Sequence, residues 1–117
     1  MTISGTVRGT PPSVNSYVRH SHGRHYRTAK TDDFMQRVAI AFRGKKLSPK
    51  ARYYVEIHLY LGKGDRIDVD NAPKTVLDAL AKCGAIKSDS QVDSMSITKD
   101  RDRENPRTEI VVFESRL

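Results

Sequence analysis

The sequence predicts an α/β protein: a single domain over residues 1–117, ordered β-α-β-α-β-β, with one mixed sheet packed by two helices. Three observations carry this reading. Arg52–Gly62 alternates, with Tyr53, Val55, Ile57, Leu59 and Leu61 on one side, as in a strand with one buried face. Two other segments repeat at helical spacing: Phe34, Met35, Val38, Ala41 and Phe42, then Val76, Leu77, Leu80 and Cys83. The 117 residues, 37% of them apolar, suffice for one modest core and fall short of two domains.

Each element has its own signals. Ile3–Arg8 partly alternates and gives a short first strand. Gly9–Tyr17, "GTPPSVNSY", is a loop by composition, and it continues through the basic stretch "VRHSHGRHYRTAK", which has no sustained period. Thr31 reads as the N-cap of the first helix, with Asp32 and Asp33 in its first turn and Arg43-Gly44 as its stop. Leu47–Ala51 connects to the strand at 52–62, and "GKGDR" bridges onward through a turn. The second helix runs from Pro73 to a glycine cap at Gly84. After the loop "AIKSDSQ", Val92–Asp100 alternates, with Val92, Ser94, Ser96 and Thr98 opposite Asp93, Met95, Ile97 and Lys99. "RENPR" turns into a last strand at Thr108–Ser115, and no internal repeat is present.

Charge is abundant and uneven. Charged residues make up 30% of the chain, and the net charge is +7. Residues 1–52 carry eleven Lys/Arg against two acids, a net of +9, whereas residues 53–117 carry ten against twelve, a net of −2. A basic half beside a carboxylate-bearing half suits an enzyme of polyanions, one half neutralising phosphates and the other holding metal. No apolar run approaches the length needed to cross a bilayer, so no membrane partner is expected, and "MTISGTVRGT" lacks the apolar core of a secretory signal. The single cysteine, Cys83, excludes an internal disulfide and points to the cytoplasm.

The chemistry concentrates in "RIDVDNAPK", Arg66 to Lys74. In an extended backbone Asp68 and Asp70 share a face, with Ile67 and Val69 on the other. Asn71 is placed to cap the second helix, and Lys74 lies one turn beyond Asp70. Hard carboxylate oxygens without His or Cys nearby select Mg²⁺, with Mn²⁺ as a substitute, over zinc. Asp89, in the loop after the helix, is the leading third ligand, returning toward the sheet end that carries Asp68. The plainer readings are helix caps at Asp70 or Asn71 and a surface stripe of Lys74, Asp78 and Lys82 at i,i+4 spacing; Asp78 belongs to that stripe or to a supporting role.

The run "DVDNAPKTVLDALAKCGAIKSDSQV", Asp68 to Val92, with "PPSVNSY" and "RHYRTAK" upstream, resembles the RusA-type Holliday junction resolvases over roughly Gly5 to Phe113. The resemblance implies a Mg²⁺-dependent endodeoxyribonuclease that resolves four-way DNA junctions by paired symmetric nicks. Asp68, Asp70 and Asp89 would be metal carboxylates and catalytic, Lys74 the catalytic lysine, and the assembly a homodimer. Family members often carry two adjacent acids where this chain has Ser88 and Asp89; Asp89 keeps the essential register.

DNA binding is expected from Arg19, Arg24, Arg27 and Lys30, with Asn15 and Tyr17 in the opening loop and further cations at Arg43, Lys45 and Lys46. His20, His22 and His25 match no common zinc spacing and are expected to add phosphate contacts at low pH. The alternative is a non-catalytic basic DNA- or RNA-binding protein whose acids only cap and solvate.

Overall fold

The computed structural model describes residues 2–12, 18–21, 24–27, 29–64 and 72–115, with side chains for all of these except 18–21 and 24–27. The elements are β1 (Thr2–Arg8), β2 (Val18–Ser21), β3 (Arg24–Arg27), α1 (Ala29–Ala41), β4 (Tyr53–Leu61), α2 (Ala72–Lys82), β5 (Val92–Arg101) and β6 (Arg107–Glu114). The main sheet has the order β1-β6-β4-β5. Its pairs are antiparallel except β4 with β5, which are parallel and joined through α2. The sheet is therefore mixed, and the two helices that pack it are the expected ones.

Strand alternation becomes burial directly. Tyr53, Val55, Ile57, Leu59 and Leu61 of β4, with Ile110 and Val112 of β6 and Val7 of β1, line the inner face. Against them α1 brings Phe34, Met35 and Val38, and α2 brings Ala72, Val76, Ala79 and Leu80. At about 25 cal/mol per Å² of apolar area, each large side chain here contributes about 1.5–3 kcal/mol of transfer free energy. Gly5 in β1 is a steric requirement: a Cβ there would stand 2.7 Å from Cε2 of the buried Phe42.

In β5 the apolar residues Val92, Met95 and Ile97 break strict parity, yet all three pack on the core. A register shift between Tyr53 and Tyr54 resolves this. Tyr53 pairs with Val92 and Tyr54 with Ser94, leaving Asp93 as the extra residue and returning Met95 and Ile97 to the inner side. Arg52 donates to Asp93 from Nε (2.8 Å) and Nη2 (2.5 Å), pinning the bulge. These hydrogen bonds hold the Asp93 carboxyl below its ordinary range.

Two expectations are corrected. The stretch expected as loop through residue 30 contains an antiparallel hairpin, β2 with β3, forming a separate two-stranded sheet in which His20 pairs with His25. Only His22-Gly23 separates the strands, and a two-residue connection with glycine is a hairpin signal that the missing hydrophobic alternation obscured. The first helix begins at Ala29 rather than at a Thr31 cap, and Thr31 lies inside it, fully buried. A buried hydroxyl can be accommodated by helix backbone acceptors, so the Thr-Asp-Asp pattern did not mark the boundary.

The outer face of the sheet carries Tyr54 against Phe113 (centroids 4.8 Å apart), His58 stacked on Tyr60 (4.3 Å) and Arg107 over the Tyr60 ring (3.7 Å). Arg107 also pairs with Asp102 (2.8 Å) and Glu109 (3.0 Å), and its hydrogen bond lowers the Asp102 pKa. Among the described residues no helix is long and apolar enough to cross a membrane.

Candidate active site

A parallel crossover has a geometric consequence. Because β5 pairs with β4 in parallel and Val92 lies opposite Tyr53, the loop before β5 sits at the Tyr53 end of β4. Asp89 is in that loop, at the opposite end of the strand pair from Leu61. The C-terminal end of α2 is tied to the same region: the N–H of Leu47 donates to Ala85 O (3.0 Å), and Tyr53 OH donates to Ser48 O (2.7 Å). The eleven residues of α2 span about 15 Å. Asp89 thus follows one end of α2, while Asp68, Asp70 and Lys74 belong to the sequence around the other.

Asp89 opens a single 3-10 turn, Asp89–Gln91, whose N-cap is Ser88. Ser88 Oγ accepts from the N–H of Ser90 (3.2 Å), and Gln91 completes a reciprocal capping box. Gln91 is buried. Its Oε1 accepts from the N–H groups of Lys87 (2.9 Å) and Ser88 (3.4 Å). Its Nε2 donates to Ser48 O (3.0 Å) and Ala51 O (2.9 Å). Both ends of the amide are engaged, so the turn is fixed to the connector 43–52. Between these anchors the Asp89 side chain is exposed and meets Ser88 Oγ at 3.5 Å.

Sequence reasoning gave Gln91 no role; its signal was the "SDSQ" capping-box pattern at Ser88–Gln91. Ser88, read as a lost acid, proves to be the cap that orders the turn.

At that same end Gly84 adopts φ +84° after α2, as the expected C-cap requires. Near its start, Lys74 Nζ lies 3.5 Å from Asp78 Oδ2, so that rung of the surface stripe exists. Lys74 is exposed and Asp78 half-buried. Asp68, Asp70 and Asn71 lie outside the described residues, as do Asn15 and Tyr17. The backbones of Arg19, Arg24 and Arg27 are in the β2–β3 hairpin, with their side chains outside the description, and Lys30 is exposed in the first turn of α1. Among the described residues no group of three or more His, Cys, Asp or Glu side chains is gathered for a metal. The cleft between α1 and α2, lined by Asp32, Met35, Gln36, Ala39, Ala79, Lys82 and Cys83, includes none of the expected ligands.

A family model for endodeoxyribonuclease RusA matches residues 8–113. The chain belongs to the RusA endodeoxyribonuclease family. RusA-family members are enzymes, and this chain is one of them. The crossover junction endodeoxyribonuclease RusA of Enterobacteria phage 82 is 32% identical over 106 residues, covering 89% of this chain and 88% of the relative. The RusA of Escherichia coli strain K12 is 31% identical, and that of Shigella sonnei strain Ss046 30%, with the same coverage.

Proposed function

We propose that this RusA-family chain is an intracellular, Mg²⁺-dependent endonuclease that resolves four-way DNA junctions by paired symmetric nicks as a homodimer. Family membership across residues 8–113 supports the junction substrate, because the curated relatives are crossover junction endodeoxyribonucleases. The observation that carries the site is the exposed Asp89 carboxylate, held by a buried, fully engaged Gln91 and free of any cation among the described residues. Such an oxygen donor fits a hard divalent ion, and Asp68 and Asp70 supply the remaining carboxylates.

Bound there, Mg²⁺ would acidify a water and neutralise charge on the scissile phosphate. Lys74, paired with Asp78 at 3.5 Å, would stabilise the negative charge that develops on the phosphate oxygens. Asn71, directly before α2 in the sequence, would cap the helix and keep Lys74 in register. Arg19, Arg24, Arg27 and Lys30, with Asn15 and Tyr17, grip the junction arms.

The placement of Asp89 supports one way for three carboxylates to meet. Asp68 and Asp70 precede α2 in the chain and Asp89 follows it, so two copies set side by side with their α2 helices antiparallel would bring each Asp89 toward the other copy's Asp68 and Asp70. A homodimer then serves both symmetric cutting and site assembly. Cleavage of a labelled four-way junction with Mg²⁺ and with EDTA tests the reading. The wild type cuts only with Mg²⁺, and Asp70→Asn binds the junction without cutting it. A native cutting rate for Asp70→Asn would refute the assignment.

A further inference from the structure

The connector between α1 and β4 and the loop that carries Asp89 bring a second set of cations together. Leu47 donates its N–H to Ala85 O, and the Gln91 amide donates to Ser48 O and Ala51 O. Lys46 passes over Gly84, where a Cβ would lie 3.9 Å from Lys46 Cε. Lys87 donates its backbone N–H to the same Gln91 side chain. These bonds place Lys46, Lys50 and Lys87, all exposed, on the Tyr53 end of the sheet beside Asp89, with the exposed Arg43 at the start of the same connector.

Some cations elsewhere are paired: Arg37 with Asp33, Arg52 with Asp93, Lys74 with Asp78, and Arg107 with Asp102 and Glu109; others among the described residues, such as Lys30, Lys63 and Arg103, are not. Among the described residues, Arg43, Lys46, Lys50 and Lys87 form no ion pair. The sheet's outer face has the opposite character, with Glu56, Asp100 and Glu109 against Arg8 and Arg107. Four uncompensated cations on a rigidly tied ledge suit phosphates, whose condensed counterions they displace on binding.

We propose that the ledge formed by residues 43–52 and 85–88 binds the phosphate backbone of a duplex DNA arm and leads it past Asp89. It is a contact surface separate from the β2–β3 hairpin. The proposal rests on the nuclease reading for the choice of DNA as partner, and on the ledge geometry for the rest.

The test is a titration of labelled four-way junction, and of linear duplex of the same sequence, with wild type and with the combined Lys46→Ala, Lys50→Ala and Lys87→Ala variant, in EDTA at several salt concentrations. The expected result is a slope of log K against log[salt] shallower by about 0.9 for each lysine removed, on both DNAs. Thermal melting is expected to be unchanged, because the three side chains are exposed. A wild-type slope in a variant with native melting would overturn the ledge. Because the titration contains no Mg²⁺, it is independent of cutting. A shallower slope in the variant, with a wild type that never nicks in a separate assay with Mg²⁺, would keep the ledge and refute the nuclease reading, whereas nicking by the wild type with an unchanged variant slope would do the reverse.

Discussion

At the C-terminal end of α2 the buried Gln91 amide accepts two backbone N–H groups and donates to two carbonyls, so the turn bearing Asp89 has one arrangement. At the N-terminal end Lys74 faces Asp78 at 3.5 Å with 66% of its side chain exposed. An exposed i,i+4 pair of this kind contributes about 0.3–0.5 kcal/mol and is screened by salt. The buried network costs far more to break, because each orphaned buried group forfeits about 1–3 kcal/mol. The fold therefore positions a carboxylate by burial at one end of the helix and leaves a cation adaptable at the other. Under the proposed function a metal ligand would benefit from the rigidity, and a lysine that follows charge onto a reacting phosphate would benefit from the reach.

That contrast can be broken by mutation. Asp89→Asn is expected to abolish junction cutting while leaving thermal stability intact, since its side chain is exposed; a cleavage assay and a melting curve check both halves. Lys74→Ala should slow cutting by about 10²–10³, the scale for removing one charge-stabilising donor, with junction affinity little changed. Single-turnover cleavage separates these effects.

Gln91→Leu is expected to lower stability by about 2–4 kcal/mol through the backbone groups it strands, and to raise the Mg²⁺ concentration needed for half-maximal cutting. Chemical denaturation and a Mg²⁺ titration measure the two. If Gln91→Leu melted like the wild type, the rigid end of the comparison would be lost.

The smallest effect is on pH. Hydrogen bonds from Arg52 and Arg107 depress the pKa values of Asp93 and Asp102, so both carboxylates are more acidic folded than unfolded. Their contribution is fully present above the unfolded carboxylate pKa of about 4 and is lost as pH falls through the lower folded values. Melting temperature measured from pH 6 downward should show a loss below about pH 4 that Asp93→Asn and Asp102→Asn reduce.

Much of the fold was legible because burial follows periodicity: β4 alternates without a break, and the α2 stripe of Val76 and Leu80 is fully buried. The β2–β3 hairpin was not legible, since its strands have four residues each and carry basic rather than alternating apolar side chains. In β5 the bulge at Asp93 inverted the parity that pattern reading assumes. At the site, residue types and spacing marked Asp89, but its end of the sheet follows from the parallel pairing of β4 with β5, which no local pattern encodes. Gln91 was overlooked because its role lies in contacts to Ser48 and Ala51, some forty residues away in sequence.

Mixing two variants expected to be inactive tests most directly the proposed meeting of Asp68 and Asp70 of one copy with Asp89 of another. Asp70→Asn and Asp89→Asn are each expected to be unable to cut; combined and allowed to exchange subunits, they should form heterodimers with one intact site. Single-strand nicking of a labelled four-way junction by the mixture is the predicted result. A mixture as inactive as its components, with heterodimers verified by mass, would contradict assembly of the site between two copies.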